Sequence, residues 1–181
     1  QTGIKLESAG ADYAEYLEKL IATETITHGD VVGVYQGKIT LQTKDADRIM
    51  VVSTMPLVIG NKQPDTDLNA VAAVAFVGQV PVRVIGEVST GDYIIASGNN
   101  DGTAIAVHPD HMTVANVNAI IGRAWSESTD SAEKLINVAI TPLDIPTNII
   151  ESLQLRQDKL EEDNQELRNM ILEIQEKLSL N

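Results

Sequence analysis

From Ile150 to Leu178 the chain carries an unbroken seven-residue register. Position a holds Ile150, Gln157, Asn164, Ile171 and Leu178, and position d holds Leu153, Leu160, Leu167 and Ile174. Leu or Ile at each d over about four heptads predicts a helix that supercoils with copies of itself. A stripe about two residues in seven wide is narrow for a helix lying on its own domain's core. The flanks fit a parallel arrangement: Arg156 at g faces Glu161 at e of the neighbouring helix, and Asp163 at g faces Arg168 at e, so both pairs attract. Gln157 and Asn164 weaken the seam, but amides at a fix register and chain number. Asn164 suits two strands, whereas Ile171 with Ile174 leans towards three. No Gly or Pro interrupts Thr147 to Asn181, a span of roughly 50 Å as a helix.

The remaining length of the 181-residue chain is enough for one domain with a proper core. Thirteen Lys and Arg against 26 Asp and Glu give a net charge of −13, with no basic cluster. Nucleic acid and anionic membrane both need a basic footprint, so neither is expected as a partner. With no cysteine, the fold depends on no disulfide. No apolar run reaches the roughly 18 residues that a membrane span needs. A start at Gln1-Thr2-Gly3 fits either an expressed piece or a cleavage product.

Ahead of Pro142 the sequence reads as mainly β. Apolar, β-branched runs recur at Val31–Tyr35, Lys38–Gln42, Ile49–Ser53, Val71–Val77, Val80–Glu87, Tyr93–Ser97, Ala104–Val107, Ile120–Trp125 and Leu135–Thr141. Several are continuously apolar, as in strands buried on both faces. Gln36-Gly37 and Ser97 to Gly102 read as hairpin turns. Asn61 to Asn69 and Ser126 to Ala132 read as exposed loops. Tyr13, Tyr16, Leu17 and Leu20 have helical spacing. His28-Gly29-Asp30-Val31-Val32 returns as Thr90-Gly91-Asp92-Tyr93-Ile94, which points to two related lobes. The Gly-Asp pair reads as a turn, with Asp bonding nearby amides. The expected architecture is therefore a compact β domain of two related lobes over 1–145, followed by a C-terminal parallel α-helical coiled coil over 146–181. Pro142 and Pro146 bracket the neck between them.

Five strings in order carry a family resemblance: Gly10-Ala11-Asp12-Tyr13-Ala14-Glu15-Tyr16; Gly29-Asp30-Val31-Val32; Val51 to Pro56 with Val58-Ile59-Gly60; Val77 to Val84; and Gly91-Asp92-Tyr93-Ile94. Together they resemble the C-terminal intramolecular chaperone, or autoproteolytic, domains of phage tail-fibre and neck-appendage proteins, and related modules ending bacterial surface fibres. The resemblance implies a trimeric module that brings three chains into register so that an upstream shaft can fold. It also favours a homotrimer over a dimer, with the chain itself and its fibre shaft as partners. The implied location is extracellular, on a virion fibre or a bacterial cell surface. In some members of the family the module cuts itself free near its own start. On that reading Asp12, Glu15 and Ser8 are the candidate catalytic residues, because self-cleavage needs a nucleophile or activated water and a carboxylate to take a proton.

No metal or cofactor is expected. His108-Pro109-Asp110-His111 clusters metal-ligand types, but Pro109 breaks the helix that would align them, so an exposed turn is the reading. Asn99 to Gly102 lacks the spaced acids and terminal Glu of a calcium loop. Trp125 reads as core or subunit contact, and aromatics at 3% leave little for a sugar-stacking platform. Assembly is the leading function; an autoprotease and an adhesive tip are its rivals.

Overall fold

The strand β6, Val71–Ile85, pairs with four others and organises the β unit. The structure, a computed structural model, describes residues 11–62, 65–141 and 146–179. The chain divides into two compact units between Asp144 and Ile145. The other strands of the first unit are β1 (Ala11–Glu18), β2 (Val31–Tyr35), β3 (Lys38–Thr40), β4 (Arg48–Val52), β5 (Val58–Gly60), β7 (Tyr93–Ala96), β8 (Ala104–Val107), β9 (Ile120–Ala124) and β10 (Lys134–Ile140).

The second half of β6 belongs to a closed five-stranded barrel. It runs antiparallel to β10 and parallel to β8, and the ring continues through β8–β7, β7–β9 and β9–β10. The first half of β6 has β1 on one edge and β4 on the other, and β4 continues into β2 and β3. A parallel bridge from Lys19 to Ile39, with Leu20 N–H donating to Ile39 O at 2.7 Å, links the end of β1 to β3. β5 adds parallel to the outer edge of β1.

Two apolar clusters explain the continuous apolar runs. Val31, Ile49 and Val51 face one way and pack with Val80, Val82, Val84, Ile94 and Val138 of the barrel interior. Val32, Val34, Met50 and Val52 face the other way and pack with Ile39 and Val74. Strands β2 and β4 are thus apolar on both sides because both sides are covered. Burying each such Val fully is worth about 1.5–3 kcal/mol.

The turns before β2 and β7 have the same hydrogen bonds. Asp30 Oδ2 accepts from Thr27 N at 2.6 Å, and Asp92 Oδ2 accepts from Ser89 N at 2.8 Å. Gly29 and Gly91 take positive φ, and their N–H groups donate to Val52 O and Ala124 O. These aspartates are turn residues, shielding amides that would otherwise be buried without a partner.

Three local expectations are corrected. Tyr13 to Leu20 is not helical: the segment lies largely in β1, where pairing with β6 and β5 overrides a short coincidence of spacing. The expected strands Val71–Val77 and Val80–Glu87 are one continuous strand, because Gly78 at φ +120° carries the chain through instead of turning it. Trp125 is 58% exposed and so is not core. His108 to His111 lies around a short 3₁₀ turn with its two histidine rings 5.7 Å apart. Among the described residues no group of three His, Cys, Asp or Glu could hold a metal.

In the second unit, α1 runs from Thr147 to Ser179. Every residue from Glu151 to Leu178 is exposed. The apolar a and d side chains are 44–71% exposed. Both a-position amides bond within their own helix, Gln157 Nε2 to Glu161 Oε1 at 3.1 Å and Asn164 Nδ2 to Leu160 O at 2.7 Å. Among the described residues no helix is long and apolar enough to cross a membrane.

Candidate functional site

Asp12 lies near the start of β1 opposite Gly78 of β6. Its own carbonyl accepts from Leu57 N at 2.8 Å, which ties the segment after β4 to β1. A bulge follows: Tyr13 pairs with Val77 but Ala14 with Ala75, so Phe76 is the extra residue and packs its ring edge against Tyr13. Asp12 is only 5% exposed, and its Oδ2 is buried without a hydrogen-bond partner. Ser53, just past β4, is 1% exposed, and its Oγ is equally without a partner. Burial pushes the Asp12 carboxyl up from its ordinary value, and the nearby Ser53 hydroxyl partly offsets this. His28, exposed in the turn before β2, reaches Ser53 O with Nδ1 at 2.8 Å.

The other predicted catalytic residues are placed differently. Glu15 is three residues further along β1, where it accepts from Tyr13 Oη at 2.5 Å; that carboxylate pushes the Tyr13 hydroxyl up. No hydrogen bond joins Glu15 to Asp12 among the described residues. Ser8 lies outside the described residues. Sequence reasoning passed over Ser53 and His28 as site residues, although Ser53 stands inside one of the five family-like strings. A cleft of about 370 Å³ lined by Lys44, Asp45, Ala96 and Asn118, among others, holds none of these residues.

The pH dependence of the buried acid has a definite sign. A carboxyl raised in the folded state contributes stability below its unfolded pKa and loses it as pH rises through the folded value. Asp12→Asn should accordingly stabilise the chain by about 1 kcal/mol at pH 7. The gain should vanish near pH 3, as read by urea denaturation at both pH values.

A separate charged group ties the barrel to the turn before β2. Arg83 on β6 bonds Glu133 through Nε at 2.9 Å and a terminal nitrogen at 3.0 Å, and its other terminal nitrogen bonds Asp30. The Asp30 side chain is 2% exposed. Arg83 holds the Glu133 carboxyl below its usual range, so that contribution is present above the unfolded pKa and is lost as pH falls through the lowered one. Arg83→Ala should cost about 2–3 kcal/mol, because it strands the buried Asp30 charge. It should also flatten the acid side of a stability–pH curve measured by thermal melting.

No family model matches the sequence, and no curated protein matches it. Solved structures do. The pre-mature bacteriophage phi29 gene product 12 superposes with a TM-score of 0.55 at 18% identity, over 78% of this chain and 23% of that one. The C-terminal fragment of the same phage protein superposes with a TM-score of 0.50 at 20% identity, over 72% of this chain and 100% of the fragment. The fold is shared. At these identities the likeness speaks to architecture, and this chain spans about a quarter of the length of the pre-mature phi29 protein.

Proposed function

We propose that this chain is a C-terminal assembly module of an elongated phage fibre or appendage, carried on the virion. It gathers three copies through a parallel coiled coil. The observation that carries the reading is α1, whose a and d side chains are largely exposed in the single chain. Such a row of Leu and Ile in water is unfavourable until it is covered, and its seven-residue repeat suits sister helices. The likeness to a phage C-terminal fragment supports the same reading. Long intertwined β shafts fold slowly because their contacts are non-local. A module that tethers the chains raises their effective concentration and shortens that search. We further read the two halves of the β unit as related lobes, on the strength of their matching turns and strand pairings.

Orientation is testable because the chain has no cysteine. Leu178→Cys should cross-link chain to chain under mild oxidation if the helices run parallel. Ile150→Cys should do the same, and a mixture of the two should give no cross-link between position 150 and position 178. Cross-links only between 150 and 178 would mean antiparallel helices and would overturn the parallel coil.

A second reading, self-cleavage near the start of the domain, is favoured by one observation: Asp12 is buried, without a partner at Oδ2, and raised in pKa. Such carboxyls suit proton transfer. With a stable reporter protein fused ahead of Gln1, the chain should release the reporter, and Asp12→Asn should retain it. An intact fusion in both cases removes the reading.

A further inference from the structure

Val80, Val82 and Val84 point into the barrel, so by alternation Val77, Gln79 and Pro81 of the same strand face outward. Two rows of side chains cross the sheet on that outer face. Tyr13 pairs with Val58 on one side and Val77 on the other, which sets the first row across β5, β1 and β6. Asn137 pairs with Pro81, and its carbonyl accepts from Trp125 N at 2.8 Å, which sets the second row across β6, β10 and the end of β9. Between the rows Asn137 Nδ2 donates to Gln79 Oε1 at 2.9 Å. Val58 and Val77 are each 44% exposed and Trp125 is 58% exposed.

Charge stands only at the borders of this face. Glu15 is engaged with Tyr13, Arg83 with Asp30 and Glu133, and the Arg48 guanidinium lies 6.0 Å from the centre of the Phe76 ring. The stretch 68–82, which supplies the outward residues of β6, is the longest in the chain without Asp, Glu, Lys or Arg; 49–61, which supplies Val58, is the next longest. That matters in a chain of net charge −13. In a closed ring each copy meets the next through the same pair of surfaces, so a carboxylate placed there recurs at every contact. An acidic chain can close on itself only where its surface is short of charge. The cores of protein interfaces are poor in charge and rich in Trp and Tyr, and this face holds the chain's single Trp together with Tyr13. The edge strand β5 has no charged residue to guard it, and both Val58 and Ile59 are exposed.

We propose that this face is a second contact between sister copies, β unit against β unit, made when the chains assemble through α1. The proposal rests on the assembly reading above and names the surface through which the β unit takes part in it. Tethering by the coil raises the effective concentration of the β units, so the contact needs little affinity of its own. The polar groups in the middle of the face are amides that bond each other, so covering them strands no charge.

Trp125 reports the contact without a label. Acrylamide quenching of its fluorescence is measured in the intact chain and in the Leu160→Asp, Leu167→Asp chain, with sedimentation velocity giving the mass of each sample. Trp125 should be shielded in the assembled protein; in the single-chain variant quenching should rise severalfold and the emission should move to longer wavelength. Val77→Glu, checked by circular dichroism for an intact fold, should raise the quenching of the assembled protein towards the single-chain level. Val58→Glu serves if Val77→Glu does not fold. Equal, strong quenching in the assembled and single-chain proteins would leave this face open to some other partner and overturn the proposal, with the coil still standing. Shielding in both would mean that the chain covers the face itself and would overturn it too, as would shielding unchanged by the added carboxylate. A wild-type protein that sediments as a single chain fails the assembly reading and takes the proposal with it.

Discussion

Leu160→Asp combined with Leu167→Asp should convert the assembled protein into single chains, raising the concentration for half-assembly more than a thousandfold. Both residues occupy d positions and are 52% and 54% exposed on the lone helix. Covering a Leu removes apolar surface worth about 1.5–3 kcal/mol, and each substitution is repeated in every chain of the particle. Placing carboxylates in the seam adds like-charge repulsion and a desolvation penalty. The control is Leu155→Asp. Leu155 is 71% exposed, more than either target, but it sits at f on the outer face. If exposure alone drove association it would matter most; if the seam does, it should leave the particle mass unchanged. Sedimentation velocity on the three proteins separates the two cases.

Gly78→Val should prevent the β unit from folding, with a loss of about 4 kcal/mol or more that places it among the exceptional single substitutions. Two independent constraints meet at this residue. Its φ of +120° is a conformation that side-chain-bearing residues rarely adopt. A Cβ there would overlap the Ala11 carbonyl oxygen and lie 2.6 Å from Asp12 Cα. Both obstacles are backbone atoms of β1, so no rotamer change relieves them. Moving β1 away would break its ladder with β6. Gly37→Ala is the contrast: φ is also positive, but nothing lies within 4 Å of the added atom, so the cost should stay near 1 kcal/mol. Soluble yield and urea midpoints report both effects.

What could be read from the sequence depended on how local the deciding interactions are. The register from Ile150 to Leu178 is a property of one helix, and the helix lies where that register places it. The Gly-Asp turns were legible because Asp30 and Asp92 bond amides only three residues away. Strand β1 was not, because Tyr13, Tyr16, Leu17 and Leu20 satisfy a helical period, and what makes the segment a strand is pairing with a partner far along the chain. Gly78-Gln79 falls in the gap between two expected strands; only the close approach of β1 shows why glycine is there. The three-residue β5 gives no period to detect.

The candidate site divides in the same way. Asp12 was reached through resemblance, not through periodicity or composition. Ser53 was in view within one of the same strings, but the segment it opens reaches β1 through the Leu57 N–H on the Asp12 carbonyl, a contact between residues far apart in the chain. His28 looked like a turn residue, which it is, and its reach to the Ser53 carbonyl is a tertiary fact.

The claim on which the account stands is that α1 joins sister copies. Sedimentation equilibrium of the intact chain at micromolar concentration tests it most directly. The account predicts a mass three times that of the 19.5 kDa chain. A single-chain mass across the accessible concentration range would contradict it.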